Sequence, residues 1–367
     1  MARHSRSRES ALMFDLDAQT GTTPVRDAHR FDEAALAHWM ADHIADFEGP
    51  IQLEQFKGGQ SNPTYVVRTP SRSYVLRRKP PGVLLKGAHA IQREARVIGA
   101  VGAAGLPVPT IFGLCTDDNV IGTWFYVMEL VEGRIFWDAT FPDVPAADRP
   151  AYFDAMNATI AGLHTIDHRA AGLGDYGREG GFFARQIALW TRQYLADEDA
   201  GRDPAMDRLV EWLPTAIPAD DRSCLAHGDF RVDNLIFHPD EPKVIAVLDW
   251  ELSTIGNPLA DFGYHLMMYH MPPVIVPGLV GHDLPSLNIP SESDYVASYC
   301  RRMGLKNLSG LDFSLAFNLF RFAAIVHGVK GRYLRGNAAN ADAKQRADAF
   351  PEMAALAWNQ ARRAGAT

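Results

Sequence analysis

Three polar residues between Ser223 and Phe262 have types and a spacing that could support chemistry. Asp229 follows a His-Gly pair, Asn234 comes five residues later, and Asp249 follows Asn234 by 15 residues at the end of an apolar run. This order suits metal-dependent phosphoryl transfer, in which one carboxylate orients the attacking hydroxyl and accepts its proton. An amide oxygen and a second carboxylate then bind magnesium. The sequence therefore predicts Asp229 as the catalytic base and Asn234 and Asp249 as magnesium ligands.

A hairpin would bring the two predicted magnesium ligands together. Leu235–Phe237 and Val244–Leu248 are short apolar runs, and the six residues between them are polar with two prolines. This pattern predicts two strands joined by a turn. The outer ends of these strands carry Asn234 and Asp249. For the His-Gly-Asp triplet alone, an ordinary turn before a strand is the alternative, because Gly and Asp are common in turns.

The N-terminal third is predicted to contain paired strands and a helix. A turn at Lys57-Gly-Gly-Gln-Ser61-Asn62 separates predicted strands at 51–56 and 64–67. Backbone N–H groups of such a turn can lie over phosphates, with Ser61 and Asn62 as further donors. A plain hairpin turn is the alternative. The segment is not a Walker P-loop, because the chain has no Gly-x-x-x-x-Gly-Lys-Ser/Thr motif.

A basic strand residue and a helical glutamate follow this turn. Alternation along the predicted strand 73–77 places Arg77 on the same face as Val75. Glu94 lies in the first half of a helix predicted at 90–103. The alternative for Arg77 is an edge-strand charge in water, and the alternative for Glu94 is an exposed helical glutamate.

Five segments together resemble the aminoglycoside phosphotransferase and choline kinase superfamily. More narrowly, they resemble phosphotransferase-like proteins related to the kinase-like region of acyl-CoA dehydrogenase family members ten and eleven. The resemblance covers roughly residues 45–340. Its segments are Gly58–Thr64, Tyr74–Gly82, Val127–Arg134, His227–Glu251 and Phe320–Asn337.

The resemblance implies an α+β, two-lobed protein-kinase-like fold. A small β-rich N-terminal lobe at 29–130 would bind nucleotide, after a flexible leader at 1–28. A larger, mainly helical lobe at 131–367 would carry the catalytic loop and bind the acceptor.

The resemblance also implies ATP and magnesium as cofactors and assigns further roles. Arg77 stands where this fold usually presents a lysine to the phosphates, with Lys79 as the alternate, and Glu94 would hold the basic residue. Backbone groups around Glu129 and Leu130 would contact adenine.

The C-terminal region has a charge bias that bears on the acceptor. A polycationic aminoglycoside would favour an acidic cleft, whereas basic residues suit an anionic acceptor, and the resemblance implies a hydroxyacyl-CoA type. The alternative is that these charges face water. Against one acid, Asp312, the segment 301–335 has seven basic residues: Arg301, Arg302, Lys306, Arg321, Lys330, Arg332 and Arg335.

A predicted helix at 182–195 offers a candidate wall for an acceptor cleft. Trp190 and Tyr194 are four residues apart and share one face of this helix. Ordinary helix packing is the alternative, because aromatic side chains usually supply core area. Nearer the catalytic segment, His227 is predicted to brace the loop, and Asp261 to anchor it.

Composition excludes several classes of protein. The chain has 367 residues, 47% hydrophobic and 22% charged, as in globular proteins. Its net charge of −8 and lack of a long basic tract argue against a nucleic-acid partner. No apolar run approaches the ~18 residues of a membrane span. Three widely spaced cysteines without a Cys-x-x-Cys pair indicate a cytoplasmic protein.

Other functional classes remain as alternatives. A non-catalytic module that binds nucleotide or acyl-CoA is favoured by Arg77 at the usual lysine position and opposed by the complete set of polar catalytic residues. A protein kinase is disfavoured, since the chain lacks the Ala-Pro-Glu motif of an activation segment. An acyl-CoA dehydrogenase is disfavoured because no flavin fingerprint occurs.

Overall fold

An antiparallel sheet of six strands organises the N-terminal part of the protein. The computed structural model describes residues 21–57, 62–80, 90–273, 278–337 and 343–367. Contacts divide the chain into two compact units, the first comprising residues up to 103 with 108–132, and the second 104–107 with 133–367. The sheet of the first unit runs in the order β1-β2-β3-β4-β6-β5. Its strands are β1 (Thr22–Thr23), β2 (Gln52–Phe56), β3 (Thr64–Arg68), β4 (Ser73–Arg78), β5 (Ile111–Cys115) and β6 (Phe125–Glu129).

Helices and apolar side chains complete the first unit. Tyr65, Tyr74 and Val127 of the sheet are fully buried in one cluster with Leu36 and Met40. The last two residues belong to the first helix, which begins after the capping side chain of Asp32. The helices of this unit are α1 (Glu33–His43), α2 (Ile91–Ala103) and the short α3 (Asp118–Ile121).

The central strand of this sheet is β4, which carries Arg77. It pairs with β3 on one side and with β6 on the other, where Arg77 lies opposite Tyr126. Arg77 is therefore not on an edge strand, and that alternative is wrong. Glu94 of α2 is 3% exposed, so the alternative of an exposed helical glutamate is also wrong.

The second unit is mainly helical and contains two small two-stranded sheets. β7 (Cys224–Ala226) pairs with β10 (Thr254–Gly256), and β8 (Leu235–Phe237) pairs with β9 (Val244–Val247), all antiparallel. The longest helix, α9, packs on α5, α7 and α11. The helices are α4 (Arg149–Thr165), α5 (Phe182–Ala196), α6 (Pro204–Trp212), α7 (Pro258–Leu266), α8 (Glu292–Arg302), α9 (Leu311–Leu334), α10 (Ala343–Asp348) and α11 (Phe350–Arg363).

The predicted hairpin after the catalytic loop is confirmed. Leu235 lies opposite Val247, and the Leu248 N–H donates to the Asn234 carbonyl at 2.8 Å. The second strand ends at Val247, since Asp249 adopts the left-handed region with φ 63° and turns the chain into a short 3-10 helix. The outer ends of the hairpin therefore meet, as the sequence predicts.

Within the part of the chain that the structure describes, no helix has the length and apolar character needed to cross a bilayer. The α+β expectation is confirmed by the sheet in the first unit and the helices in the second.

Candidate active site

The Asp229 side chain, on the loop between β7 and β8, is held by two hydrogen-bond donors and one ion pair. Its Oδ1 accepts a hydrogen bond from the Tyr264 hydroxyl at 2.5 Å and lies 3.3 Å from Arg231 Nε. Its Oδ2 accepts from Asn234 Nδ2 at 3.0 Å. The side chain is 17% exposed. These contacts fix the orientation of a carboxylate that remains accessible, which is what a general base requires.

Gly228, the residue directly before Asp229, is held through both its backbone N–H and its carbonyl. Gly228 has φ 83°, and a Cβ there would lie 2.7 Å from the Leu252 carbonyl oxygen, so only glycine fits. Its N–H donates to Asp261 Oδ1 at 2.7 Å, and its carbonyl accepts from Arg321 Nη2 at 3.0 Å. Side chains of two helices, α7 and α9, thus position the backbone directly before Asp229.

His227 links the loop to the hairpin. Its Nε2 donates to the Leu248 carbonyl at 2.9 Å, and its Nδ1 accepts from the Asp229 N–H at 3.2 Å. With one ring nitrogen donating and the other accepting, the arrangement matches a neutral imidazole. The side chain is fully buried. These contacts agree with the predicted bracing role.

Asp261 anchors the loop through the loop's backbone N–H groups, as predicted. Its Oδ2 accepts from the His227 N–H at 2.8 Å and lies 3.0 Å from His164 Nε2, while Tyr299 contacts the other nitrogen of His164. Burial raises the pKa of the Asp261 carboxyl, but the His164 hydrogen bond, the nearby histidines and the Gly228 N–H outweigh burial and lower it. Asp261 is therefore a buried anion that organises the loop.

The two predicted magnesium ligands lie at the joined ends of the hairpin. Asn234 Nδ2 donates to both the carbonyl and Oδ2 of Asp229, which turns its amide oxygen away from that residue. The Asn234 carbonyl meets the N–H of Leu248, the neighbour of Asp249. Asp249 keeps a strained left-handed conformation, which is common at functional sites.

This donor set fits magnesium. No group of three His, Cys, Asp or Glu side chains suited to a metal occurs among the described residues. Magnesium typically takes one or two protein oxygens and completes its shell with water and substrate phosphates. One amide oxygen and one carboxylate match that pattern, whereas a site made entirely of protein ligands would not.

Arg231 and Asp233 form an ion pair within the catalytic loop that sequence reasoning missed. Arg231 Nη2 lies 3.0 Å from Asp233 Oδ2. Burial lowers the pKa of Arg231, but Asp233 and Asp229 outweigh it and raise that pKa. Burial, with neighbouring carboxylates including Asp249, raises the pKa of Asp233 against the effect of Arg231. The only signal in the sequence was the Arg-x-Asp spacing.

Two consecutive residues of α7 also support the loop. Burial, reinforced by the Asp229 charge, raises the pKa of the Tyr264 phenol, which therefore stays protonated and donates. Burial lowers the pKa of His265 to about 4. The neutral ring of His265 contacts the Phe230 carbonyl at 3.2 Å and the Tyr295 hydroxyl at 2.6 Å. The sequence pattern of Tyr264–His270 predicts a buried helix and does not indicate these contacts.

A second polar group lies within the first unit. Arg77 Nε is 2.9 Å from Glu94 Oε2, and both side chains are largely buried. Asn62 Nδ2 and the Tyr126 hydroxyl donate to the same carboxylate at 3.1 and 3.2 Å. Lys79 instead places its Nζ 3.8 Å from the centre of the Trp124 ring. Arg77, rather than Lys79, is thus the basic residue that Glu94 holds.

The remaining predicted nucleotide residues lie at the end of β6 or outside the described residues. The Glu129 N–H donates to the Thr110 carbonyl, and its carboxylate accepts from the Thr110 N–H and hydroxyl. Leu130 follows the strand and is partly buried. Ser61 and the preceding glycines of the turn lie outside the described residues.

Comparison with known proteins places the chain among phosphotransferases. The model of the family described as "Phosphotransferase enzyme family" matches residues 52–280. Acyl-CoA dehydrogenase family member 10 of Mus musculus is 43% identical over 347 residues, which is 94% of this chain and 32% of that protein. Family member 11 of Gallus gallus is 44% identical, over 87% of this chain and 42% of that protein. The chain spans less than half the length of these relatives.

Solved structures confirm the predicted fold and resemblance. A Ralstonia eutropha protein assigned as an aminoglycoside phosphotransferase is 45% identical, with a TM-score of 0.84 over 91% of this chain and 99% of its own. Choline kinase of Cryptosporidium parvum has a TM-score of 0.61 at 12% identity, over 90% of this chain and 97% of its own. Spectinomycin phosphotransferase, solved with ADP and spectinomycin, has a TM-score of 0.59 at 12% identity, over 91% of this chain and 99% of its own. The last two show the fold alone.

Proposed function

Because the chain belongs to the phosphotransferase enzyme family, we propose that it transfers the γ-phosphoryl group of ATP to a hydroxyl group of a small molecule. The observation that carries the proposal is the orientation of Asp229 by Tyr264, Asn234 and Arg231. Two hydrogen-bond donors and one ion pair on an accessible carboxylate prepare it to receive a hydroxyl group in a fixed position.

Asp229 acts as the general base in this proposal. As the acceptor oxygen attacks the γ-phosphorus, its proton passes to the Asp229 carboxylate, and the bond from phosphorus to the β,γ-bridging oxygen breaks. ADP carries away the electrons of that bond, and Asp229 later releases the proton to water. Little covalent chemistry is required of the protein, so positioning and charge determine the rate.

The remaining residues would hold the cofactors. Asn234 and Asp249 bind magnesium, which neutralises the charge on the phosphates when bound. Arg77, held by Glu94, contacts the nucleotide phosphates, with Lys79 as the alternate. The other proposed nucleotide contacts are Ser61, Asn62, Glu129 and Leu130.

The acceptor is proposed to be an anionic hydroxy compound of the hydroxyacyl-CoA type, in the cytoplasm. Its support is the basic bias of residues 301–335 and the names of the acyl-CoA dehydrogenase relatives. The net positive charge of this segment is partly compensated by acids elsewhere in the chain. Acids elsewhere in the chain pair with Arg302 and Arg335 at 2.7 Å.

The test is magnesium-dependent ATP consumption against a panel of hydroxyacyl-CoAs, choline, aminoglycosides, simple sugars and homoserine. We expect turnover on one class of acceptor and none when magnesium is chelated. ATP that binds and stabilises the protein but is never consumed, with any acceptor, would favour the non-catalytic binding module instead.

A further inference from the structure

Arg321 of α9 reaches the catalytic loop from a distant part of the chain. Its Nη2 donates to the carbonyl of Gly228, the residue directly before Asp229, at 3.0 Å. The centre of its guanidinium lies 5.1 Å from the Tyr264 ring of α7 and 5.8 Å from the Trp190 ring of α5. Both distances permit cation–π contact. Three helices thus place one cation beside the proposed base.

Among the residues that the structure describes, none neutralises the charge of Arg321. Among the described residues, no carboxylate lies within 4 Å of its guanidinium, and its buried Nε has no hydrogen-bond partner. Arg302 and Arg335, from the same basic segment, each have carboxylate partners. Partly buried cations are costly unless they are paired. Arg321 therefore has the charge and the donors to receive an anion from outside the protein.

We propose that Arg321 determines acceptor specificity by binding an anionic group of the phosphoryl acceptor, either a carboxylate or a phosphate. The fork of a guanidinium suits two oxygens of such a group. This inference rests on the proposed phosphoryl transfer and narrows its acceptor, because an anion bound beside the base suits a small hydroxy carboxylate or phosphate rather than the remote phosphates of a hydroxyacyl-CoA.

Tyr264 sets the spacing between the anionic group and the reacting hydroxyl. Its hydroxyl contacts Asp229, and its ring lies against Arg321, so one side chain spans the distance from base to cation. An acceptor that bridges these two residues carries its hydroxyl and its anionic group a few atoms apart. Hydroxy carboxylates and hydroxyalkyl phosphates meet this condition, and polycations do not.

Small probes that share one carbon skeleton test the inference directly. Glycerate, glycerol 3-phosphate and glycerol are titrated calorimetrically into the wild-type protein, Arg321→Met, Arg321→Lys and Arg332→Met. Arg332 is an exposed residue of the same helix, so it is the matched control for loss of one positive charge.

We expect Arg321→Met to weaken binding of at least one anionic probe by 10-fold or more, roughly the loss of a charged hydrogen bond. Glycerol should be unaffected, Arg332→Met should match wild type, and Arg321→Lys should lie in between, since lysine keeps the charge but not the fork. The two anions distinguish a carboxylate site from a phosphate site. Equal effects on the anions and glycerol, or no effect on either anion, would overturn the inference.

The binding readout separates this inference from the proposed function. If anions bind through Arg321 but the wild-type protein transfers no phosphoryl group, the proposed function fails and the inference stands. If phosphoryl transfer occurs and Arg321→Met lowers kcat equally for charged and neutral acceptors, Arg321 only braces Gly228, and the inference fails. Thermal unfolding of each variant confirms that the protein remains folded.

Discussion

At the scale of single residues, the arrangement around Asp229 is decided by hydrogen-bond donors rather than by burial. Tyr264 and Asn234 each donate to one of its oxygens, and Asp261 holds the preceding backbone. A carboxylate held in this way needs no large movement to meet an incoming hydroxyl. Preorganisation of this kind lowers the cost of reaching the transition state.

Replacing Tyr264 with phenylalanine removes one donor and keeps the ring. A hydrogen bond to a charged group contributes about 1.5–3 kcal/mol, so we expect kcat to fall roughly 10- to 100-fold. Tyr333→Phe, at an exposed tyrosine, is the control. An unchanged kcat would show that Tyr264 does not act on Asp229.

At the scale of elements, a local pattern was enough to find the hairpin and its polar ends. Two short apolar runs and a proline-containing turn identify β8 and β9, and the hairpin geometry then joins Asn234 to the neighbour of Asp249. The strand face of Arg77 and the helix of Glu94 were also predicted from local pattern, whereas the pairing of these two residues was implied by the resemblance.

Contacts over long sequence separations could not be predicted from the sequence. Tyr264 and Asp229 are 35 residues apart, and Arg321 and Gly228 are 93 apart. Each contact depends on how whole helices pack, and hydrophobic periodicity identifies the buried face of a helix but not the residue that face meets. The helix around Tyr264 was predicted correctly, whereas its role was not.

The glycine turn before Asp229 gives a prediction at this scale. Gly228→Ala and Gly201→Ala both place alanine at positive φ, which costs of order 1–3 kcal/mol. A Cβ at 228 also meets Leu252, whereas a Cβ at 201 has no atom within 4 Å. We expect similar strain in both but a much larger loss of kcat in Gly228→Ala. Equal kcat values, measured at equal folded fractions, would contradict the proposed role of this turn.

At the scale of the whole molecule, each unit connects its own polar residues through an internal network. Glu94 gathers Arg77, Asn62 and Tyr126 within the sheet unit, and Asp261 gathers backbone and histidine donors within the helical unit. Buried networks of this kind are stable only when their members are satisfied. Loss of one member should therefore affect stability as well as function.

Stability of the whole molecule should depend on pH through His265. Its pKa is about 4 in the folded protein, against 6.5 ordinarily. Between these values the unfolded chain binds a proton that the folded chain does not, so the free energy of unfolding falls as the pH falls, by up to about 3 kcal/mol. Above pH 6.5 this effect disappears.

Denaturant unfolding at pH 7 and pH 4.5 checks this expectation. His265→Gln should lose less stability over that interval than the wild-type protein does, and His282→Gln, at an exposed histidine, should behave like the wild type. If both variants follow the wild type, the buried imidazole is not a source of the acid sensitivity.

The most direct test of the central claim is transfer of labelled γ-phosphate from ATP to an acceptor by the wild-type protein and by Asp229→Asn. Asparagine keeps the shape of the side chain but cannot accept the proton. We expect magnesium-dependent transfer that falls about 10²- to 10⁴-fold in Asp229→Asn, with nearly unchanged nucleotide affinity. Transfer at the wild-type rate by Asp229→Asn would contradict the assignment of Asp229 as the base.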